Sequence, residues 1–170
     1  MKVELFPFQK RVLADLRLKV GEAIGGFQRT HSNQVVSFTA PTGAGKTIIM
    51  ASLIEDIFCG TVDYPEQPNA IFIWLSDSPQ LNEQSKLKID LKADKIKLGQ
   101  CVTINEESFN QEILDDGHIY FLNTQKLGKS SNLTKRSDAR QYTIWETLAN
   151  TARDKSDRLY VIIDEAHRGM

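Results

Sequence analysis

The sequence predicts an α/β fold built on a mostly parallel sheet. Short apolar runs recur along the chain, and segments with the spacing of amphipathic helices lie between them. The run Ala70–Leu75 is apolar throughout, as in strands that are buried on both faces of a sheet. Strands alternating with helices are typical of α/β proteins. The predicted strands are 35–38, 70–75, 100–104, 118–122 and 159–163.

Composition indicates an ordinary globular domain. The 170 residues are enough for one domain with a hydrophobic core, and 41% of them are hydrophobic. A net charge of −1 argues against a free-standing nucleic-acid binder, because no global basic field attracts phosphate. No apolar run approaches the ~20 residues of a membrane span, and the N-terminus lacks a signal-peptide core. With Cys59 and Cys101 expected to be buried thiols, we predict a cytoplasmic protein.

A helix is predicted over residues 5–24. It opens near Pro7, and Leu13, Leu16 and Val20 follow at helical spacing. The glycines expected to end it are Gly21, Gly25 and Gly26. Gln9 has two interpretations: a solvated helix residue, or an amide that donates to and accepts from an adenine edge.

The segment Ala40–Thr47 matches a phosphate-binding loop between a predicted strand and a predicted helix. Gly43 and Gly45 let successive backbone N–H groups point at phosphate oxygens, and the following helix adds its positive dipole end. Lys46 is expected to reach the β- and γ-phosphates of ATP, and the Thr47 hydroxyl to ligate Mg²⁺. The predicted nucleotide-binding residues are Gln9, Thr42, Gly43, Ala44, Gly45, Lys46 and Thr47.

Strand ends supply the remaining polar candidates. Gln80 and Gln84 lie on a helix predicted to begin near Pro79, and Thr124 and Gln125 follow the strand 118–122. The basic segment 128–140 fits a solvated loop by default and a nucleic-acid contact as the alternative. An amphipathic helix with Ile144, Leu148 and Ala152 on one face comes next.

The last predicted strand ends in Asp164-Glu165-Ala166-His167. Asp164 is expected to hold Mg²⁺ through water, and Glu165 to polarise the attacking water as general base. His167 is expected to couple the nucleotide site to a partner domain. Each carboxylate could instead cap a turn, but two independent motifs in one chain favour an ATPase site.

These motifs occur in the order seen in superfamily 2 DEAD/DEAH-box helicases, and the chain most resembles the type III restriction enzyme Res subunits. The resemblance covers nearly all of residues 1–170 and implies the first RecA-like helicase domain, a three-layer P-loop sandwich, with ATP and Mg²⁺ as ligands. It also implies that Gln80, Gln84, Thr124 and Gln125 contact nucleic acid. Expected partners are double-stranded DNA, a second RecA-like domain, a nuclease domain and a methyltransferase subunit.

The sequence ends at Met170, directly after the second ATPase motif. In the family it resembles, a later strand inserts between the strand that carries the phosphate-binding loop and the strand that carries Asp164, and a second domain supplies an arginine finger. We therefore expect residues 1–170 to be one incomplete domain of a longer chain, with a gap near the centre of the sheet where backbone groups and apolar faces are unmet. As an isolated chain it should bind ATP·Mg²⁺ weakly and hydrolyse it slowly.

Two functional classes follow from the sequence. One is the ATP-dependent motor of a restriction or phage-defence system that acts on DNA. The other is a P-loop ATPase switch that uses nucleotide to bind a protein partner. DNA-stimulated ATPase activity would separate them.

Overall fold

The structure is a computed structural model, and it describes residues 1–39 and 45–164. Its elements are α1 (Pro7–Thr30), α2 (Lys46–Cys59), β1 (Ile71–Ser76), α3 (Pro79–Lys92), β2 (Cys101–Thr103), β3 (Ile119–Asn123), α4 (Ile144–Asp154) and β4 (Leu159–Ile163), with 3₁₀ turns at Thr124–Leu127, Asn132–Thr134 and Ser156–Arg158. The chain divides into two compact units. Unit 1 comprises Met1–Pro68 and Leu87–Lys97, and unit 2 comprises Asn69–Lys86 and Leu98–Met170.

The sheet of unit 2 has four strands in the order β2-β3-β1-β4, and all of its pairings are parallel. Its register places Ser76 beside Asn123 and Leu75 beside Ile163. The parallel sheet confirms the predicted α/β class and is consistent with a RecA-like domain. Four of the five predicted strands form, and each begins and ends within one residue of its expected bounds.

Both faces of β1 are buried, which explains its uninterrupted apolar sequence. On one face, a core cluster combines strand residues with residues of the later loops and α4; it contains Ile71, Ile73, Ile104, Phe109, Leu114, Tyr120, Leu122, Leu133 and Ile144. The other face carries stacked aromatic pairs. Ring centroids lie 5.1 Å apart for Phe72 and Tyr160, and 5.6 Å apart for Trp74 and Phe121.

The predicted strand 35–38 does not form. Residues 32–39 are irregular and mostly exposed, and Val35 retains 89% of its accessible surface. An apolar run becomes a strand only when neighbouring strands satisfy its backbone and cover its side chains. Among the described residues, no strand pairs with this run.

Within the described residues, β4 forms one edge of the sheet. Val161 and Ile163 point to the same side of β4 and are 52% and 60% exposed. Ile71 and Ile73 on the adjacent strand β1 are buried, so burial falls sharply across one strand spacing.

Helix α1 in unit 1 extends six residues beyond its predicted end, to Thr30. The glycines expected to stop it lie inside it, so that expectation was wrong. Gly21 has a packing role instead, because a Cβ there would lie 3.2 Å from the carbonyl oxygen of Asp63. The helix ends where His31 takes a left-handed conformation, with φ 55°, and its N–H donates to the Phe27 carbonyl.

Unit 1 contains a buried carboxylate, Glu55, on α2. Glu55 Oε2 accepts from the Met1 ammonium at 3.3 Å and from the Lys95 backbone N–H at 2.9 Å. Burial alone would lower the pKa of the Met1 ammonium, but hydrogen bonding to Asp94 and the charge of Glu55 raise it above its usual value. Glu55 therefore joins the chain start to α2 and to the residues that follow α3.

Two smaller expectations also need correction. Cys101 is buried as expected, but Cys59 is exposed. Helix α4 buries Ile144, Thr147 and Thr151, whereas Ala152 is exposed, because the buried stripe follows the i, i+3, i+7 positions. None of the described helices combines the length and the apolar character needed to cross a membrane.

Candidate functional site

Gly45 is the last residue before α2 of the predicted phosphate-binding loop. It has φ 75° and ψ 39°, a left-handed conformation that suits glycine, and it is the N-cap of α2. Its carbonyl accepts from the Ile49 N–H at 3.0 Å, which closes the first helical turn. Lys46 and Thr47 are the first two residues of this 14-residue helix, where backbone N–H groups have no partner within the helix. The local geometry is that of an anion-binding helix start.

Gln9 lies on the first turn of α1 and is only 5% exposed. Its Oε1 accepts from the Phe6 backbone N–H at 2.9 Å. Its Nε2 is so close to Gly45 that a Cβ on that glycine would overlap it. The interpretation of Gln9 as a solvated residue is therefore wrong. The amide is held in a fixed orientation against the end of the phosphate-binding loop, and its reading of adenine stays a prediction.

Phe6 was missed by the sequence reasoning. Its ring is exposed, and it stacks on Phe8 with centroids 6.4 Å apart and planes 10° from parallel. The Phe6 backbone N–H donates to Gln9 Oε1, so the exposed ring and the predicted adenine-reading amide belong to residues joined by a hydrogen bond. The available signal was an aromatic residue three positions before a glutamine, on the other side of Pro7.

Several predicted residues lie outside the described part of the chain. They are Thr42, Gly43 and Ala44 of the loop, and Glu165 and His167 of the second motif. Their predicted roles remain predictions.

In unit 2, the polar candidates gather at the carboxyl ends of the strands. Asp164 directly follows β4, is half-buried, and donates its N–H to the Leu75 carbonyl at 2.9 Å. Ser76 ends β1 and Asn123 ends β3 at paired positions. Ligands of parallel α/β sheets bind at this edge, so the sheet places the Asp164 carboxylate where such sites occur.

The four predicted nucleic-acid residues follow neighbouring strands. Gln80 and Gln84 are exposed and one helical turn apart on α3, and the Ser78 hydroxyl donates to Gln80 Oε1 at 3.0 Å. Thr124 and Gln125 form a 3₁₀ turn after β3. Since β1 and β3 pair in parallel, both groups lie at the same edge of the sheet.

Two buried amides at this edge were not predicted. The Asn123 Oδ1 accepts from the Gln125 N–H at 3.0 Å and so fixes the 3₁₀ turn. Within the part of the chain that the structure describes, Asn123 Nδ2 and Asn82 Oδ1 are buried without a hydrogen-bond partner. Groups of this kind usually bond to protein or ordered water, so the edge has unused donor and acceptor capacity. An asparagine after an apolar run was the only sequence signal.

The family model of the type III restriction enzyme, res subunit, matches residues 2–170. The chain belongs to this family. It is therefore a helicase-type ATPase domain, and domains of this kind generally use ATP and Mg²⁺ and engage DNA. No curated protein and no solved structure gave a match.

The described residues fit these ligands chemically. The Thr47 hydroxyl in unit 1 and the Asp164 carboxylate in unit 2 are oxygen donors, which Mg²⁺ prefers. Lys46 supplies a cation at the start of α2, the end of a helix that favours phosphate. The Gln9 amide has an N–H₂ and a carbonyl, the pair that a purine edge requires.

Proposed function

We propose that this chain is the ATP-binding part of an ATP-dependent DNA helicase or translocase from a restriction or phage-defence system. The observation that carries the proposal is the packing of the buried Gln9 amide against Gly45 at the start of α2. The Gln9 Oε1 caps the start of α1 by accepting from the Phe6 N–H, and the Gln9 Nε2 lies against Gly45, the N-cap of α2 with positive φ. Together they suit a nucleotide with its base beside the amide and its phosphates on the helix start.

The proposed roles follow the chemistry of each side chain. Thr42, Gly43, Ala44 and Gly45 offer backbone N–H groups to ATP, and Lys46 contacts its β- and γ-phosphates. Thr47 and Asp164 hold Mg²⁺, which when bound neutralises charge on the phosphate oxygens. Glu165 orients the attacking water as general base, and His167 couples the site to a partner domain.

DNA and protein partners complete the proposal. Double-stranded DNA would lie against Gln80, Gln84, Thr124 and Gln125, which share one edge of the sheet. A second RecA-like domain would supply the arginine that stabilises transition-state charge, so the 170 residues alone, taken as one incomplete RecA-like domain, should turn over slowly. A nuclease domain and a methyltransferase subunit are the further partners, in the cytoplasm.

Thermal unfolding tests the nucleotide site directly. A ligand that binds only the native state raises the melting temperature. We expect ATP·Mg²⁺ to raise the melting temperature of the parent chain and of Lys88→Ala, but not that of Lys46→Ala. Lys88 is an exposed lysine of unit 1 on α3 and serves as the matched control. An equal increase in Lys46→Ala would place ATP elsewhere and contradict the proposal.

A nucleotide-controlled switch that binds a protein partner is the second candidate. Two observations favour it: the net charge of −1, and the exposed apolar side chains Val161 and Ile163 on β4. ATPase assays on the full-length protein, with and without duplex DNA, separate the candidates. Stimulation by DNA supports the motor, and equal rates support the switch.

A further inference from the structure

The segment Gly128–Arg140, here called the basic arm, connects the 3₁₀ turn Thr124–Leu127 to α4. Together with Lys126 it carries five cations and one carboxylate, in a chain whose net charge is −1. The default expectation for such a segment is a solvated loop. Instead, buried side chains of the arm fix it to the rest of unit 2.

Arg140 fixes the arm from within. The side chain is 5% exposed, and its guanidinium donates to three backbone carbonyls: Nε to Phe109 at 2.8 Å, Nη1 to Asn132 at 2.6 Å and Nη2 to Glu106 at 2.5 Å. A buried charge is tolerated when hydrogen bonds satisfy it, and this fork joins the arm to the 105–110 segment. The arm is therefore a fixed part of unit 2.

Leu133 anchors the middle of the arm. Its side chain is fully buried in the core cluster beside Ile144. The Ser131 hydroxyl accepts from the Leu133 N–H at 3.2 Å and donates to Glu106 Oε1 at 3.2 Å. Leu133, Ser131 and Arg140 therefore hold the arm within unit 2, and most of its other side chains are exposed.

Three of the eight exposed side chains on the arm are cations: Lys129, Lys135 and Arg136. Lys129 and Lys135 are exposed, and neither has an ion-pair partner among the described residues. The nearby carboxylates are already engaged, since Glu106 pairs with Lys126 at 3.1 Å and Glu146 pairs with Arg136 at 2.6 Å. Asp138 is the one carboxylate on the arm itself. The surface keeps positive charge that the protein does not neutralise.

An exposed aromatic ring lies at the start of the helix that follows the arm. Trp145 is on the first turn of α4, is 53% exposed, and immediately precedes Glu146, which holds Arg136. The 3₁₀ turn Asn132–Thr134 packs against both Thr124–Leu127 and α4. The arm therefore contacts both the turn that carries Thr124 and Gln125 and the helix that carries Trp145.

We propose that the basic arm and Trp145 form a binding surface for the sugar-phosphate backbone of duplex DNA. Lys129 and Lys135 neutralise phosphates, and the Trp145 ring packs against deoxyribose with its apolar body. The proposal rests on the proposed function and extends it, because it assigns most of the backbone contact to residues outside the four glutamine and threonine candidates. A rigid arm lets these cations meet DNA without an entropic cost of ordering a loop.

The two tryptophans give a direct readout. Trp74 is 2% exposed in the sheet, whereas Trp145 is exposed, so a DNA contact at the arm changes only the Trp145 emission. We expect a duplex of about 20 base pairs to quench the parent emission, and Trp145→Phe to abolish the change while binding persists. Quenching that survives in Trp145→Phe would overturn the placement of Trp145.

Anisotropy of a labelled duplex tests the lysines. Each neutralised phosphate contributes about −0.9 to the slope of log K against log salt. The double variant Lys129→Gln, Lys135→Gln should therefore make this slope less negative by about 2. It should also weaken binding at least about tenfold in ~50 mM salt. Arg153→Gln is the matched control, an exposed cation of unit 2 at the far end of α4. An effect equal to that of the control, or no binding by the parent, would overturn the proposal. The ATP-dependent melting temperature is independent of this result and reports on the nucleotide site alone.

Discussion

Two apolar runs of this protein differ in structure: one forms a buried strand and the other forms no strand. Residues 71–76 form the buried strand β1, whereas residues 35–38 are irregular and exposed. β1 has parallel partners on both sides, β3 and β4, and the second run has none among the described residues. Local pattern supplies the capacity to form a strand, and neighbouring strands decide whether it forms.

The largest expected effect comes from truncating matched residues in the two runs. Ile71→Ala should lower the free energy of unfolding by about 2–5 kcal/mol, because Ile71 is fully buried in the core cluster. Val35→Ala should change it by less than about 0.5 kcal/mol, since Val35 is exposed. Urea unfolding of both variants measures this difference. Equal losses would mean that residues 35–38 are packed in solution.

Two irregular segments extend the comparison, since the basic arm is anchored and residues 32–39 are not. Arg140→Gln should lower the free energy of unfolding by about 2–3 kcal/mol, because it leaves buried carbonyls without donors. Arg136→Gln, on the exposed side of the same arm, is the control and should cost under about 1 kcal/mol. A small effect of Arg140→Gln would show that the arm is held by Leu133 alone.

Two glycines with positive φ isolate the Gln9 contact. A Cβ at Gly45 meets Gln9 Nε2, whereas a Cβ at Gly99 meets nothing within 4 Å. Gly99→Ala should therefore cost about 1–2 kcal/mol from backbone strain alone, and Gly45→Ala should cost more. Adding Gln9→Ala should remove the excess. If the excess persists in the double variant, some group other than Gln9 occupies that space.

The smallest expected effect is a pH dependence at the start of α4. Hydrogen bonding to Arg136, followed by bonds to Thr143, lowers the pKa of Glu146 from 4.5 to about 2. The folded pKa lies below the unfolded one, so this stabilisation is present above about pH 4.5 and is lost as the pH falls toward 2. The parent should lose more melting temperature than Glu146→Gln over this range. Parallel curves would show that the ion pair is absent in solution.

Sequence alone predicted those features that depend on local pattern. The strands β1, β3 and β4 and the start of α3 at Pro79 follow from apolar runs and a helix-start residue. The sequence did not predict contacts between residues that are far apart in the chain. The packing of Gln9 against Gly45 joins positions 36 residues apart, and the three carbonyls bound by Arg140 come from two separate loops. Gly21, expected to end α1, was misread because its packing partner Asp63 lies far along the chain.

The site divides in the same way. The motif residues Gly45, Lys46, Thr47 and Asp164 lie at a helix start and a strand end, as their sequence context predicts. Phe6, Asn82 and Asn123 lack a motif, and only their positions beside motif residues reveal them. Short sequence motifs identify the residues that could bind nucleotide. The residues that position them are found only from contacts between distant parts of the chain.

The exposed edge of β4 has a consequence for handling the protein. The sequence of β4, Leu-Tyr-Val-Ile-Ile, contains neither a charged residue nor a proline, which are the usual features that prevent strand edges from joining. Two molecules that meet at this edge can extend each other's sheets. Association of this kind requires a collision, so sample loss should rise with the square of concentration at early times. Dilute storage should therefore slow this association.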